Sequence, residues 1–291
     1  MSFRRLIGCL GLLTTIAVGT HLTSQVKRDV KQPPVQPDKV SWDTEAFHFS
    51  FLGDLPRRYV GHSFAGVFET VFKSEKSFQK DEFESTDIFQ ARLKKMKSKM
   101  IVGNISFGSR IAFNFLPHKN GFELIYDADK EELTVFVRWN RQSSFGTYPD
   151  QFLSLIWSDS SKKLGSYVGR NAFNRATKVT ILRNNSFHLV SDLKTLKRFE
   201  SFSEDAGDGF ISEEIPMKSA VAREAKANLR VLVIGRLNDI PVLKSQNRSE
   251  PTLQSPKDEI NFDYGLNFDI EDVWVYDYPS GRVWVKFAGI D

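Results

Sequence analysis

The chain has 291 residues, of which 41% are hydrophobic and 26% are charged, and its 40 basic and 36 acidic side chains give a formal net charge of +4. These proportions are typical of a folded protein and exclude an intrinsically disordered chain, which carries fewer apolar residues and a larger net charge. The single cysteine, 18 glycines and 11 prolines also exclude disulfide-scaffold and collagen-like proteins.

The N-terminus has the features of a secretory signal. Arg4 and Arg5 precede an apolar run over 6–18, which ends in small residues before polar chain begins. A basic start, an apolar core of about 7–15 residues and a small-residue exit are typical of a signal peptide. We therefore predict a signal peptide over 1–22. An uncleaved N-terminal anchor is the alternative, because extension to residue 22 brings the run near the length that spans a bilayer.

The cysteine and the charge balance fit export. Cys9 lies inside the predicted leader, so the exported chain would hold no thiol and could form no disulfide in an oxidising compartment. Loss of Arg4 and Arg5 leaves 38 basic against 36 acidic residues, and such a near-neutral chain gives no electrostatic support for a nucleic-acid partner. We predict an exported protein of the periplasm or cell envelope or, if the leader stays, one anchored in the inner membrane.

The segment 23–41 is predicted to be an extended tether. It carries three prolines among charged residues and no hydrophobic face, a composition that favours polyproline II. Aromatic residues begin at Trp42, and we predict a globular α+β region over 42–291. The sequence also allows a division of this region into two lobes near 145–160.

The segment 83–100 shows the clearest helical pattern in the chain. Thr86 or Asp87 is placed to cap its start, and apolar residues recur at helical spacing along one stripe. The stripe consists of Phe89, Leu93, Met96 and Met100. We expect one well-marked amphipathic helix in this segment.

Basic residues crowd the later turns of this helix. Arg92, Lys95 and Lys99 define a candidate basic face. Cations suit a helix C-terminus, so a solvated surface is the simpler interpretation. The alternative is a contact of helix 87–100 with an anionic surface such as lipid or glycan. Nucleic acid is disfavoured, because no stacking aromatic residue interleaves the lysines.

Aromatic and β-branched runs, which predict strands, fill much of the remaining chain. They lie at 111–116, 122–126, 133–139, 178–182, 229–234, 273–278 and 283–287. The acidic turn at 127–132 predicts a β-hairpin, and Gly281 is expected to adopt positive φ in a second turn. A weaker helix is predicted over 219–228. The whole pattern predicts an α+β protein with a mainly antiparallel β-sheet.

No segment carries a complete catalytic or metal-binding motif. Residues 61–66 approximate a nucleophile elbow around Ser63, but Ala65 replaces its second glycine and too little chain precedes it to build the required sheet. We expect a tight turn there instead. The five histidines lack zinc-site spacing, so we name no catalytic residue, no metal ligand and no cofactor. A Ser–His–Asp set from distant positions stays open, because geometry defines a triad.

Several segments together resemble a group of uncharacterised bacterial exported proteins. They include KDEFESTDIFQARL at 80–93, YDADKEELTV at 126–135 and SYVGRNAF at 166–173. The group carries E-F-E-x-T-x-x-[FY]-x-x-R, Y-D-A-D and Y-x-G-x-N-A-F-G segments in this order. In this chain Asn174 stands where the group often has glycine, and Ser85 replaces a threonine. The resemblance implies a bacterial envelope setting and a shared fold, and it brings no known activity.

Two functional classes follow from the sequence. The first is a noncatalytic binding or scaffolding protein that presents aromatic and basic groups of a sheet to an unknown envelope macromolecule. Its candidate recognition patch, which a packed turn would also explain, consists of Tyr167, Arg170, Asn171 and Phe173. The second is an envelope hydrolase in which Ser63 or another serine meets a histidine, His62 or His188, and an acid in a pocket.

Overall fold

Long β-strands dominate the fold. The computed structural model describes residues 41–50, 53–116, 121–141, 145, 152–170, 174–205, 208–252 and 254–289. The predicted leader at 1–22, the tether at 23–41 apart from its last residue, and Asn171 and Phe173 of the predicted patch lie outside the described residues. The described chain from residue 41 onward belongs to one compact unit.

The helices and strands have the following bounds. The helices are α1 (Phe64–Lys73), a 3₁₀ turn (Glu75–Phe78), α2 (Thr86–Lys97), α3 (Leu193–Leu196) and α4 (Ser219–Asn228). The strands are β1 (Met100–Val102), β2 (Ile105–Ser106), β3 (Ile111–Phe115), β4 (Phe122–Asp127), β5 (Glu132–Arg141), β6 (Phe152–Arg170), β7 (Ala176–Asp192), β8 (Phe202–Asp205), β9 (Asp208–Pro216), β10 (Leu229–Ser249), β11 (Lys257–Asp277) and β12 (Val283–Ala288).

The described strands form one large mixed sheet and a small β1–β2 pair. The order in the large sheet is β3-β10-β11-β7-β6-β5-β9-β8, with β12 added to β11 and β4 added to β5. β7 and β11 at its centre are parallel, whereas the neighbouring pairs are antiparallel. The chain is therefore mostly β-sheet with some helix, as the class α+β implies, but the expected mainly antiparallel arrangement is not confirmed.

Three helices of ten or more residues occur among the described residues, where the sequence indicated one clear helix and one weak one. The unpredicted helix is α1, which replaces the tight turn expected around Ser63. The Ser63 side chain accepts a hydrogen bond from Gly66 N at 3.2 Å and so caps the helix N-terminus. Phe64, Val67, Phe68 and Val71 form its buried stripe. Such an aromatic and β-branched composition suits a strand equally well.

Helix α2 confirms the predicted helix but differs at both ends. Ser85, rather than Thr86 or Asp87, caps it by accepting a hydrogen bond from Ile88 N. The helix ends at Lys97, so the expected extension to residue 100 is wrong. Met100 begins β1 instead and is 57% exposed. The weaker prediction at 219–228 is confirmed by α4.

The two predicted turns form as expected. β4 and β5 pair as a hairpin, and the Asp127 carboxylate accepts backbone N–H groups of Asp129 and Lys130 at 3.0 and 3.2 Å. This local capping accounts for the acidic residue at the start of the turn. Gly281 has a φ of 82° between β11 and β12. Asn174 has a φ of 57°, a conformation that asparagine tolerates better than most residues.

Two apolar clusters lie on opposite faces of the sheet, because alternate residues of β3, β10 and β11 point to opposite sides. On one side Phe64 of α1 stacks on Trp157 at 4.6 Å and meets Phe113 edge-on at 5.3 Å. On the other side Phe47 packs edge-on against Trp274 at 5.4 Å. The segment before α1 therefore covers the face that α1 does not.

His62 ties this early segment to the sheet. The side chain is fully buried, its Nδ1 accepts a hydrogen bond from Ala112 N at 2.9 Å, and its Nε2 donates to Glu45 O at 2.7 Å. Both ring nitrogens are thus used by the backbone. His62 therefore stabilises the fold, and neither of its ring nitrogens is available to bind a substrate.

We expect His62→Leu to lower the free energy of unfolding by about 2–4 kcal/mol, because it leaves a buried donor and acceptor unpaired. His48→Leu is the control, since His48 is exposed and a surface change is expected to stay within about 0.5 kcal/mol. Urea unfolding followed by tryptophan fluorescence measures both. Equal destabilisation by the two variants would contradict the structural role of His62.

Candidate functional site

Four strands continue past the core as an arm. We define the arm as residues 244–249 of β10, 257–264 of β11, 176–187 of β7 and 158–170 of β6, in that order across the sheet. β6 with β7 and β10 with β11 form two long antiparallel hairpins. Their second strands both run from the tip towards the core, so they meet as the parallel pair.

The outer edges of the arm carry no strand among the described residues. β5 pairs with β6 only at Leu153 and Ser154, and β3 pairs with β10 only over 231–235. Residues 158–164 of β6 are exposed throughout. Lys162 and Lys163 lie on this edge, where lysines discourage pairing with another sheet.

Register divides the arm into an amide face and an apolar face. On the amide face Asn184 donates to Asn261, and Asn261 donates to Asn247, each at 2.8 Å. This ladder links three adjacent strands through their side chains. On the apolar face the rings of Phe187 and Tyr264 stack at 5.3 Å. The two faces therefore offer different chemistry on either side of one sheet.

Helix α1 covers the apolar face only at its base. Phe68 meets Phe187 edge-on at 5.3 Å, and Phe72 meets Tyr264 at 5.8 Å. Lys244 closes this region, since its ammonium lies 4.4 Å from the Phe72 ring centre and pairs with Glu75. Farther out, the apolar face is half-buried at Phe262, Ile260 and Ile181, and no described helix covers it.

A cavity of about 310 Å³ lies at the tip of the apolar face. Its lining joins the ends of both hairpins: Tyr167, Gly169, Arg170, Thr177, Val179, Pro251, Thr252 and Pro256. The structure thus brings together Tyr167 and Arg170 of the predicted recognition patch. It pairs them with prolines from a distant part of the chain, which the sequence did not indicate.

An ion pair stabilises the sheet beside this cavity. Arg248 donates from Nε and Nη2 to the two carboxylate oxygens of Asp258 at 2.8 and 2.6 Å. The Asp258 side chain is only 2% exposed. The Arg248 guanidinium lowers the pKa of the Asp258 carboxyl, because its hydrogen bonds favour the charged form.

Of the three residues of the predicted basic face, Arg92 forms contacts within the protein. Arg92 donates two hydrogen bonds to the Glu84 carboxylate and others to the carbonyl oxygens of Ser77 and Gln79. It therefore fastens the preceding loop to α2. Lys95 is exposed on the helix, whereas Lys99 lies beyond the helix end.

The Glu84–Arg92 pair also gives a structural role to the segment 80–93. Its glutamate and arginine are bound to each other, and Arg92 lies 5.2 Å above the Phe89 ring centre. Phe83 in the same segment is 90% exposed and lines an open cavity of about 780 Å³. The segment 80–93 therefore fastens a loop to α2 and leaves the Phe83 ring exposed.

The serines and histidines proposed for catalysis lie in two separate places. Ser63 caps α1 and His62 bonds the backbone, as described above. His188 is buried in β7, and its Nδ1 lies 3.2 Å from the Ser154 hydroxyl. Its Nε2 lies 3.7 Å from the Asp263 carboxylate, beyond hydrogen-bond length. A Ser–His–Asp arrangement thus exists that the sequence left open.

The comparisons with known proteins identify no relative. No family model matches the chain, and neither a curated protein nor a solved structure is significantly similar to it. Within the described ranges no helix is long and apolar enough to cross a bilayer. Nor do the described residues contain a cluster of three or more His, Cys, Asp or Glu side chains placed to hold a metal ion.

Strand β6, which carries half of the recognition patch, was not predicted from the sequence. Residues 158–164 have no apolar alternation, because both faces of this edge strand meet solvent. One feature of the sequence could have indicated this strand. Two polar, serine- and asparagine-containing runs at 158–166 and 183–186 flank a turn sequence, which is compatible with a solvated hairpin.

We expect the arm to lose stability below about pH 4, where the reference pKa of aspartate lies. The folded pKa of Asp258 is lowered, so its stabilisation is present above the unfolded pKa and is lost as pH falls through the folded pKa. Asp258→Asn should reduce hydrogen-exchange protection of the arm at pH 7 and flatten its acid dependence.

The control is Arg248→Gln with Asp258→Asn, which should behave as Asp258→Asn alone. Protection of β5 in the core should be unchanged in both variants. An acid profile of Asp258→Asn identical to that of the wild type would show that this ion pair does not stabilise the arm.

Proposed function

We propose that the protein is an exported envelope protein that binds a macromolecular partner through the arm without chemical turnover. The observation that carries this proposal is the side of the arm beyond α1, which no described helix covers and which ends in the tip cavity. A concave site lined by apolar groups with a few polar ones is the usual form of a binding site. The tip cavity extends the same face and adds Tyr167 and Arg170.

Export is supported by the sequence of the leader. Arg4 and Arg5 precede an apolar run of signal-peptide length, and Cys9 within it is the only cysteine. The resemblance to uncharacterised exported proteins agrees with this setting. We propose the periplasm or envelope as the location, with retention in the inner membrane by an uncleaved leader as the alternative.

A binding role is favoured over catalysis by the burial of the candidate groups. Ser63 and His62 serve a helix cap and a backbone clamp. Ser154 is fully buried, and the Phe145 ring lies edge-on to His188 at 5.7 Å. A nucleophile must reach its substrate in a concave site, and none of the described cavities includes Ser154.

The alternative is a hydrolase that uses Ser154, His188 and Asp263. The 3.2 Å approach of Ser154 to His188 is the observation that favours it. In known serine hydrolases, however, the serine lies on Nε2 and the acid on Nδ1. In this protein the two nitrogens are exchanged, and the Asp263 carboxylate lies 3.7 Å from Nε2, too far for the hydrogen bond that would orient the ring as a general base.

We expect a photo-crosslinking residue at position 167 to capture a partner in envelope fractions. p-Benzoylphenylalanine in place of Tyr167 lies on the apolar face, and the same residue in place of Val168 points to the amide face. Both positions are exposed, so they form a matched pair. The adduct from 167 should exceed that from 168 at least fivefold, and excess unmodified protein should compete for it. Equal yields would argue against this face.

A fluorophosphonate probe should not label the wild-type protein, because Ser154 is inaccessible. The Ser154→Ala variant should likewise remain unlabelled. Neither protein should hydrolyse an ester faster than the uncatalysed rate. Labelling of the wild type that Ser154→Ala abolishes would establish the hydrolase instead. Gel fluorescence and a p-nitrophenyl acetate assay provide the two measurements.

A further inference from the structure

We propose that the apolar face of the arm binds a linear glycan that carries carboxylate groups, such as a polyuronate. This inference rests on the proposed binding function and names its ligand class. The evidence is a pair of adjacent cations, Arg183 and Lys162, that no carboxylate of the described residues neutralises, set beside amides that suit sugar hydroxyl groups.

Three of the four strands contribute a cation to one row across the arm. Arg183 of β7 lies directly opposite Lys162 of β6, and Ile260 separates Arg183 from Arg248 on the other side. Arg248 is neutralised by Asp258. Among the described residues no carboxylate forms an ion pair with Arg183 or Lys162. Like charges directly opposite each other destabilise a sheet, so a bound anion would relieve a cost that folding leaves in place.

Arg183 is held in position before any ligand binds. Its guanidinium lies 4.5 Å from the centre of the Phe262 ring, and its Nε donates to Asn185 Oδ1 at 3.3 Å. Stacking on a ring limits the motion of a side chain that otherwise loses much entropy on binding. The planar N–H groups of an arginine match the two oxygens of a carboxylate. The site is therefore organised for an anion of this shape.

The neighbouring row offers partners for sugar hydroxyl groups. Gln246, Phe262, Asn185 and Ser160 lie side by side across the arm. Amides both donate and accept hydrogen bonds, as sugar hydroxyls require. From this row to Thr177 at the tip, β7 spans about 26 Å at 3.3 Å per residue. That length suits a chain of several sugars.

Two other anionic partners fit this face less well. Single-stranded nucleic acids stack their bases on free ring faces, but Arg183 already covers the Phe262 ring. A membrane surface requires apolar side chains that insert between lipids, whereas Ile181, Ile260 and Phe262 are half-buried in the sheet. A carboxylated glycan needs neither feature.

The full chain should bind decagalacturonate in isothermal titration calorimetry and should not bind the neutral galactan oligosaccharide of equal length. The double variant R183Q/K162Q should bind decagalacturonate at least tenfold more weakly. The matched control is K163Q/K178Q, which removes two cations from the amide face of the same two strands and should change affinity less than twofold. Thermal unfolding of K162Q should occur at the same temperature as the wild type or higher, because a like-charge pair is removed.

The assignment would be overturned if decagalacturonate did not bind, or if both double variants bound it equally. It would also be overturned if phosphomannan, poly-glutamate, oligothymidylate or phosphatidylglycerol vesicles bound more tightly through Arg183 and Lys162. Persistence of the position-167 crosslink together with absence of glycan binding would reject the glycan and leave the proposed binding function intact. Loss of that crosslink would reject both.

Discussion

The parallel ladder between β7 and β11 is the interaction on which the arm depends. Each flanking hairpin is a two-stranded ribbon, which is marginally stable in water by itself. The ladder runs from Lys257 opposite Thr180 to Asn267 opposite Val190, so it joins the two ribbons from the tip into the core. A four-stranded sheet results, and its central strands have backbone partners on both sides.

Joining the ribbons also produces the two chemically different faces. Side chains alternate along each strand, and the register aligns polar residues with polar residues across β7, β11 and β10. The Asn184–Asn261–Asn247 ladder therefore forms on one side, while the rings lie on the other. Since α1 shields only the base of the ring-bearing side, the rest of that side and the tip cavity are available to a partner.

Strand register also determines which charged side chains become neighbours. Arg248 has Asp258 as a diagonal neighbour on the adjacent strand and forms a short ion pair. Arg183 and Lys162 meet each other across the strands instead. A one-residue shift of β6 would turn Lys162 to the amide face. The position of unneutralised charge on this sheet is thus a consequence of strand pairing, and it gives the arm its proposed preference for an anionic chain.

The sequence by itself determined the mostly β composition, the helix at α2, the β4–β5 hairpin and the Gly281 turn, because each depends on neighbours a few residues apart. It also named Tyr167 and Arg170, together with Asn171 and Phe173, as one candidate patch. Only the tertiary structure decided the parallel centre of the sheet, the burial of His62 and His188, and the prolines that complete the tip cavity. These features join residues tens to hundreds of positions apart, where hydrophobic periodicity carries no information about which strands become neighbours.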